Sequence, residues 1–103
     1  MEITFSTQVA MDVGVNGAIV YQFISNLVAM AEIRKEGFYA GSYWIKLPLR
    51  TIETELPFMG RTSINSAVSR LIDKGYIKKT LEINAHRLER TGWYTTGDRY
   101  VNL

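Results

Sequence analysis

Apolar residues recur along this 103-residue chain with two different periods, and the periods divide it into helices and strands. From Gly17 to about Arg34 the apolar positions Ile19, Val20, Phe23, Ile24, Leu27, Val28 and Ala31 follow i, i+3, i+4, i+7 spacing. That is one face of a long helix, with Asn16 placed as its N-cap. Arg34 and Lys35 sit in the last turn, where cations suit the helix dipole, and Gly37 follows as the expected terminator. Val15, Tyr21 and Met30 widen the apolar surface, so this helix either lies centrally or carries a partner surface. Ahead of it, Ser6 is placed as the N-cap of a short helix that Gly14 stops, and Glu2 to Phe5 reads as an extended lead-in.

Beyond Gly37 the pattern shortens. Phe38 to Ser42 reads as a loop, and Tyr43 to Leu47, aromatic and β-branched, as a strand. Pro48 suits the first turn of a helix running from Leu49 to Leu56, which would bury Leu49, Ile52 and Leu56. Pro57 ends it, because the residue before a proline is pushed out of the α region. After a turn at Phe58-Met59-Gly60, Arg61 to Lys74 returns to helical spacing with Ile64, Ala67, Val68, Leu71 and Ile72 on one face. Gly75 caps that helix in the left-handed conformation. Tyr76 to Leu81 and Trp93 to Thr96 read as two strands of a hairpin, with 82–92 as its loop and Trp93 directed to the core. Tyr43 and Trp44 are expected to pair against that hairpin. Thr96-Gly97-Asp98 is a further turn, and Tyr100 to Leu103 is expected to form a final short strand.

The expected fold class is therefore α+β: a winged helix-turn-helix with a long N-terminal helix and a small antiparallel sheet. One domain covers 1–103, with 1–14 as lead-in, 15–36 as the long helix, and 43–96 as the helix-turn-helix plus wing. The turn before Arg61 fits the short, glycine-containing connection of such units.

Composition narrows the class. A hydrophobic fraction of 47% with 21% charged residues fits a folded globule. Cysteine is absent, which favours a reducing, cytoplasmic setting and excludes thiolate metal sites and thiol nucleophiles. Residues 1–10 lack the basic start of a signal peptide. No stretch is expected to approach the roughly 20 apolar residues of a membrane span, so no membrane association is expected. The single histidine, His86, has no second ligand at metal spacing, so no metal or cofactor is expected. Without a thiol, a placed histidine or a phosphate-cradling glycine motif, enzymatic activity is not expected either.

Charge distribution says more than the net +2. Residues 1–33 contain three acids and no Lys or Arg; residues 34–103 contain all twelve bases against seven acids, a local charge of +5. A positive field concentrated in one part of a domain suits a polyanion partner. Opposite its apolar stripe, the helix from Arg61 shows Arg61, Thr62, Ser63, Asn65, Ser66, Ser69 and Arg70. Ser, Thr and Asn are weak helix formers, but they are compact hydrogen-bonding groups that let a backbone approach base edges. The N-terminal part of a recognition helix makes such contacts. Lys74, Lys78, Lys79, His86, Arg87 and Arg90, on and around the hairpin, are placed to meet phosphates.

Several segments together resemble a known family. Tyr43-Trp44-Ile45-Lys46, Leu56-Pro57-Phe58-Met59 leading into Thr62 and Ile64, Leu71-Ile72-Asp73-Lys74-Gly75-Tyr76-Ile77, and Glu89-Arg90-Thr91-Gly92-Trp93-Tyr94 resemble the winged-helix domains of phage and plasmid replication-initiation proteins of the DnaD type. The resemblance covers most of residues 15–96. It implies double-stranded DNA binding in origin recognition or primosome assembly. Gly60 departs from it, standing where a Ser-type cap is expected. Winged helices also serve as transcriptional regulators, and fold alone does not choose between the two. A third reading is a protein–protein module in which the Gly17–Arg34 helix makes a homodimer or docks a replication protein.

Overall fold

The computed structural model describes residues 2–86 and 88–98. Its elements are α1 (Thr7–Arg34), β1 (Phe38–Tyr39), β2 (Ser42–Tyr43), β3 (Ile45–Lys46), α2 (Leu49–Glu55), α3 (Arg61–Asp73), β4 (Ile77–Thr80) and β5 (Trp93–Thr96). They form a mixed α+β globule of three helices and two small antiparallel sheets, a β1-β2 hairpin and a sheet in the order β3-β5-β4.

The N-terminal segments are two helical pieces joined end to end. Ser6 caps the first, its hydroxyl oxygen accepting from the Val9 amide at 3.3 Å. Gly14, at φ 84° and ψ 165°, breaks the helical path, a conformation that a side chain would strain. Far from being peripheral, the first piece supplies Val9 and Val13, 0% and 1% exposed, to the core. The second piece ends at Lys35 rather than Gly37: Lys35 takes the left-handed cap and its amide reaches the carbonyls of Ala31 and Glu32. By length and composition α1 could cross a membrane, which the apolar pattern did not anticipate. Gly14 interrupts it, however, and Val20, Tyr21, Ile24 and Val28 are buried against the other elements.

Where a loop was expected after Gly37, β1 and β2 pair as a minimal hairpin, Phe38 opposite Tyr43 and Tyr39 opposite Ser42. Ala40 and Gly41 both have positive φ, at 49° and 84°, which is the turn that matches strand twist in a two-residue loop. The strand expected over 43–47 is consequently split. Trp44 leaves the ladder and its indole donates to the Tyr39 carbonyl at 2.8 Å, while Ile45 and Lys46 pair with Tyr94 and Trp93 of β5.

Pro48 stands just outside α2, as its N-cap. Leu56, before Pro57, has left the helical region at φ −121° and ψ 65°. In α2, Ile52 and Leu56 are buried, whereas Leu49 is only partly so. In α3, Ile64, Ala67, Val68 and Leu71 face the core and Ile72 is exposed. The helix closes as expected at Gly75: the Tyr76 amide bonds the Leu71 carbonyl at 2.9 Å and the Gly75 amide the Ile72 carbonyl at 3.1 Å. On β5 the deeply buried aromatic is Tyr94, not Trp93. Trp93 is partly buried and its indole donates to Asn84. The final strand expected at 100–103 lies outside the described residues.

Candidate nucleic-acid interface

The polar face of α3 is divided between two neighbours. One row, Arg61–Asn65–Ser69, follows i, i+4 spacing along the helix, and its Asn65 and Ser69 stand beside the β4–β5 hairpin. Asn65 and Ser69 line an open cleft of about 440 Å³, whose other wall includes Lys79, Arg90 and Gly92 and whose floor includes Val68 and Tyr94. The second row, Thr62–Ser66–Arg70, leans with Ser63 toward Val13, Asn16 and Gly17 of α1 across a smaller cleft of about 210 Å³. On the ridge between the rows, Asp73 joins Asn65, Ser66, Ser69 and Arg70, placing an acid at the far end of the face.

Of the cations singled out in the sequence, several are committed to internal contacts. Arg70 donates from Nη1 to the Val13 carbonyl at 3.1 Å. That carbonyl lies beside the break at Gly14, so Arg70 acts as a side-chain cap on the first piece of α1. Lys74 pairs with Asp12 at 3.4 Å, and the same carboxylate accepts from the Tyr76 hydroxyl at 2.8 Å. Lys78 lies 3.6 Å from Asp98 on an exposed rim. Arg61 pairs with Glu53 of α2 at 2.6 Å. Its hydrogen bond is the largest influence holding the Glu53 carboxyl below the ordinary glutamate range, and it raises Arg61 in return.

The hairpin side differs. Lys79 stands 5.9 Å from the centre of the Tyr94 ring, at the outer limit of a cation–π contact, and its charge faces the cleft. Burial pushes the Tyr94 phenol above its ordinary value. Arg90 is exposed and lies on the same cleft. Glu89, its neighbour, is occupied by Lys46.

The loop before Arg90 is built on Asn84. Its amide donates to the carbonyls of Glu89 at 3.2 Å and Thr91 at 3.0 Å, and its oxygen accepts from the Trp93 indole at 2.7 Å. These bonds fix the return of the chain and hence the position of Arg90. His86 belongs to the same tip; its Nδ1 accepts from the Leu88 amide at 3.2 Å, away from the cleft residues. Arg87 lies outside the described residues. Among the described residues, no group of three or more His, Asp or Glu side chains is placed to hold a metal ion.

The structure thus brings Asn65 and Ser69 together with Lys79 and Arg90. It sets Arg70, Lys74 and Lys78 against other partners. Sequence reasoning missed Asn84, Glu53 and Asp73 as parts of this region. Asn84 carries a local signal, an Asn in a turn between strands, which is a residue suited to hydrogen-bonding nearby backbone. Scans against protein-family models, curated proteins and solved structures give no match for the chain.

Proposed function

We propose that this chain is a winged helix-turn-helix domain that binds double-stranded DNA, with α3 as recognition helix and β4–β5 as wing. The observation that carries the reading is the cleft in which Asn65 and Ser69 of α3 face Lys79 and Arg90 of the hairpin. Asn and Ser are groups that read base edges, and Lys and Arg beside them neutralise phosphate. The element order, with α2, a turn at 57–60, α3 and a hairpin whose sheet is completed by β3, supports the same reading. So does the excess of bases after residue 33.

A role in phage or plasmid replication initiation rests on the resemblance of 15–96 to that family, and transcriptional regulation is the neighbouring use of the same scaffold. Neither use asks for catalysis or a cofactor, and both belong in the cytoplasm. The test is duplex binding across a salt series. The expected result is measurable affinity at low salt that falls linearly on a log–log plot, at roughly 0.9 per phosphate neutralised. No binding at the lowest salt would overturn the reading.

A second reading has one observation in its favour. Met30, Ile33 and Phe38 are 44%, 81% and 64% exposed near the end of α1, beside a groove that includes Trp44 and Trp93. Exposed apolar surface of this kind suits a protein partner, a second copy or a replication protein among them. A sedimentation measurement that finds only monomer at high concentration would count against the homodimer.

A further inference from the structure

The cation at the head of the α3 face is held by an acid from the preceding helix. Arg61 Nε donates to Glu53 Oε1 at 2.6 Å, and Nη2 reaches Oε2 at 3.5 Å. The pair spans two elements whose mutual position is fixed by the buried Ile52, Leu56, Met59 and Ile64. It is therefore set by the fold. The Arg61 side chain is 70% exposed, so a ligand on α3 can reach it, while Glu53 sits behind it at 28%.

We propose that Glu53 is an electrostatic brake on the nucleic-acid face of α3, occupying Arg61 so that duplexes of arbitrary sequence gain no phosphate contact there. The proposal rests on the DNA-binding reading above. A phosphate approaching Arg61 meets a nearly neutral pair. To bind, it exchanges one charge-assisted acceptor for another, which yields little, and it leaves the carboxylate as a like charge nearby. Arg90, on the hairpin side of the cleft, makes no ion pair among the described residues and offers its charge to a ligand. Affinity then comes from the cleft, where Asn65 and Ser69 are in reach of bases, and not from the head of the helix. Glu53 acts through Arg61 and is a positioning residue.

The experiment is fluorescence-anisotropy binding of a duplex over a salt series, for the native chain, E53Q, R61Q and the double variant. E53A serves as a second removal of the carboxylate, and thermal unfolding verifies that each variant is folded. Glutamine keeps the shape and a neutral acceptor while releasing the Arg61 charge. E53Q and E53A are expected to bind roughly three- to tenfold more tightly at low salt, with the log–log salt slope steeper by about one, as for one added phosphate contact. Both changes are expected to vanish when Arg61 is also replaced. Equal or weaker binding, an unchanged slope, or the same gain without Arg61 would overturn the brake. Absence of binding by every chain at the lowest salt would instead overturn the DNA reading, and the brake with it.

Discussion

The two flanks of α3 carry similar polar and basic residues and meet different demands. On the flank toward α1, Arg70 bonds the Val13 carbonyl, and just beyond, Lys74 and Tyr76 share the carboxylate of Asp12. Those groups hold the break at Gly14 against the third helix. On the flank toward the hairpin, Asn65, Ser69, Lys79 and Arg90 line an open cleft. The difference teaches that a basic residue on a helix face is available to a ligand only when the fold has not already given it an acceptor.

Four expectations would break or sharpen this contrast. The largest effect belongs to R70A. It leaves the Val13 carbonyl without its charged donor, and a hydrogen bond of that kind contributes roughly 1–3 kcal/mol. The melting temperature is expected to fall by about 4–8 °C per kcal/mol for a domain of this size. A folded R70A with unchanged melting temperature and abolished duplex binding would reverse the assignment of that flank.

N65A is expected to do the opposite. Its stability should stay within about 0.5 kcal/mol of the native chain. Duplex affinity should fall by roughly 1–3 kcal/mol, with relaxed sequence preference, as judged by competition between related duplexes. R90A comes next: affinity is expected to weaken nearly uniformly across sequences, with the salt slope shallower by about one.

The smallest effect is in the pH dependence of folding. Glu53 has a folded-state pKa below its ordinary value, first because of the Arg61 hydrogen bond. Its contribution is therefore present above the unfolded glutamate pKa and lost as pH falls through the lower folded value. Parallel acid titrations of the native chain and E53Q, followed by circular dichroism, are expected to show a slightly shallower acid-side loss for E53Q.

Much of the framework was legible because local chemistry enforces it. Gly14 and Gly75 supply positive φ where the chain must break or cap, Pro57 forces Leu56 out of the helix, and the 3.6-residue spacing of Ile64, Val68 and Leu71 marks the buried side of α3. Other features escaped because two local signals competed. Gly37 is the better left-handed residue by type, yet Lys35 takes the cap, because the chain must turn two residues earlier to form β1. The β1-β2 hairpin has two-residue strands, too short for any alternation to register. Trp93 is the expected core residue of β5, yet the strand buries Tyr94 and Thr95 side by side and leaves Trp93 partly buried with its indole on Asn84.

The site was legible as a set of residue types and illegible as a set of partners. Asp12 meets Lys74, and Val13 meets Arg70, across more than half the chain. Periodicity within a helix carries no trace of such contacts. Which polar residues on α3 stay free therefore emerges only once α1 is folded against it.

The most direct measurement is a two-dimensional ¹H–¹⁵N NMR titration of the labelled chain with a short duplex at low salt. The expected result is a set of chemical-shift changes focused on Asn65, Ser69, Lys79 and residues 90–92, with the amides of 13–17 nearly unmoved. Changes centred instead on Met30, Ile33 and Phe38, or no changes at all, would contradict the assignment of the α3–hairpin cleft as a DNA-binding face.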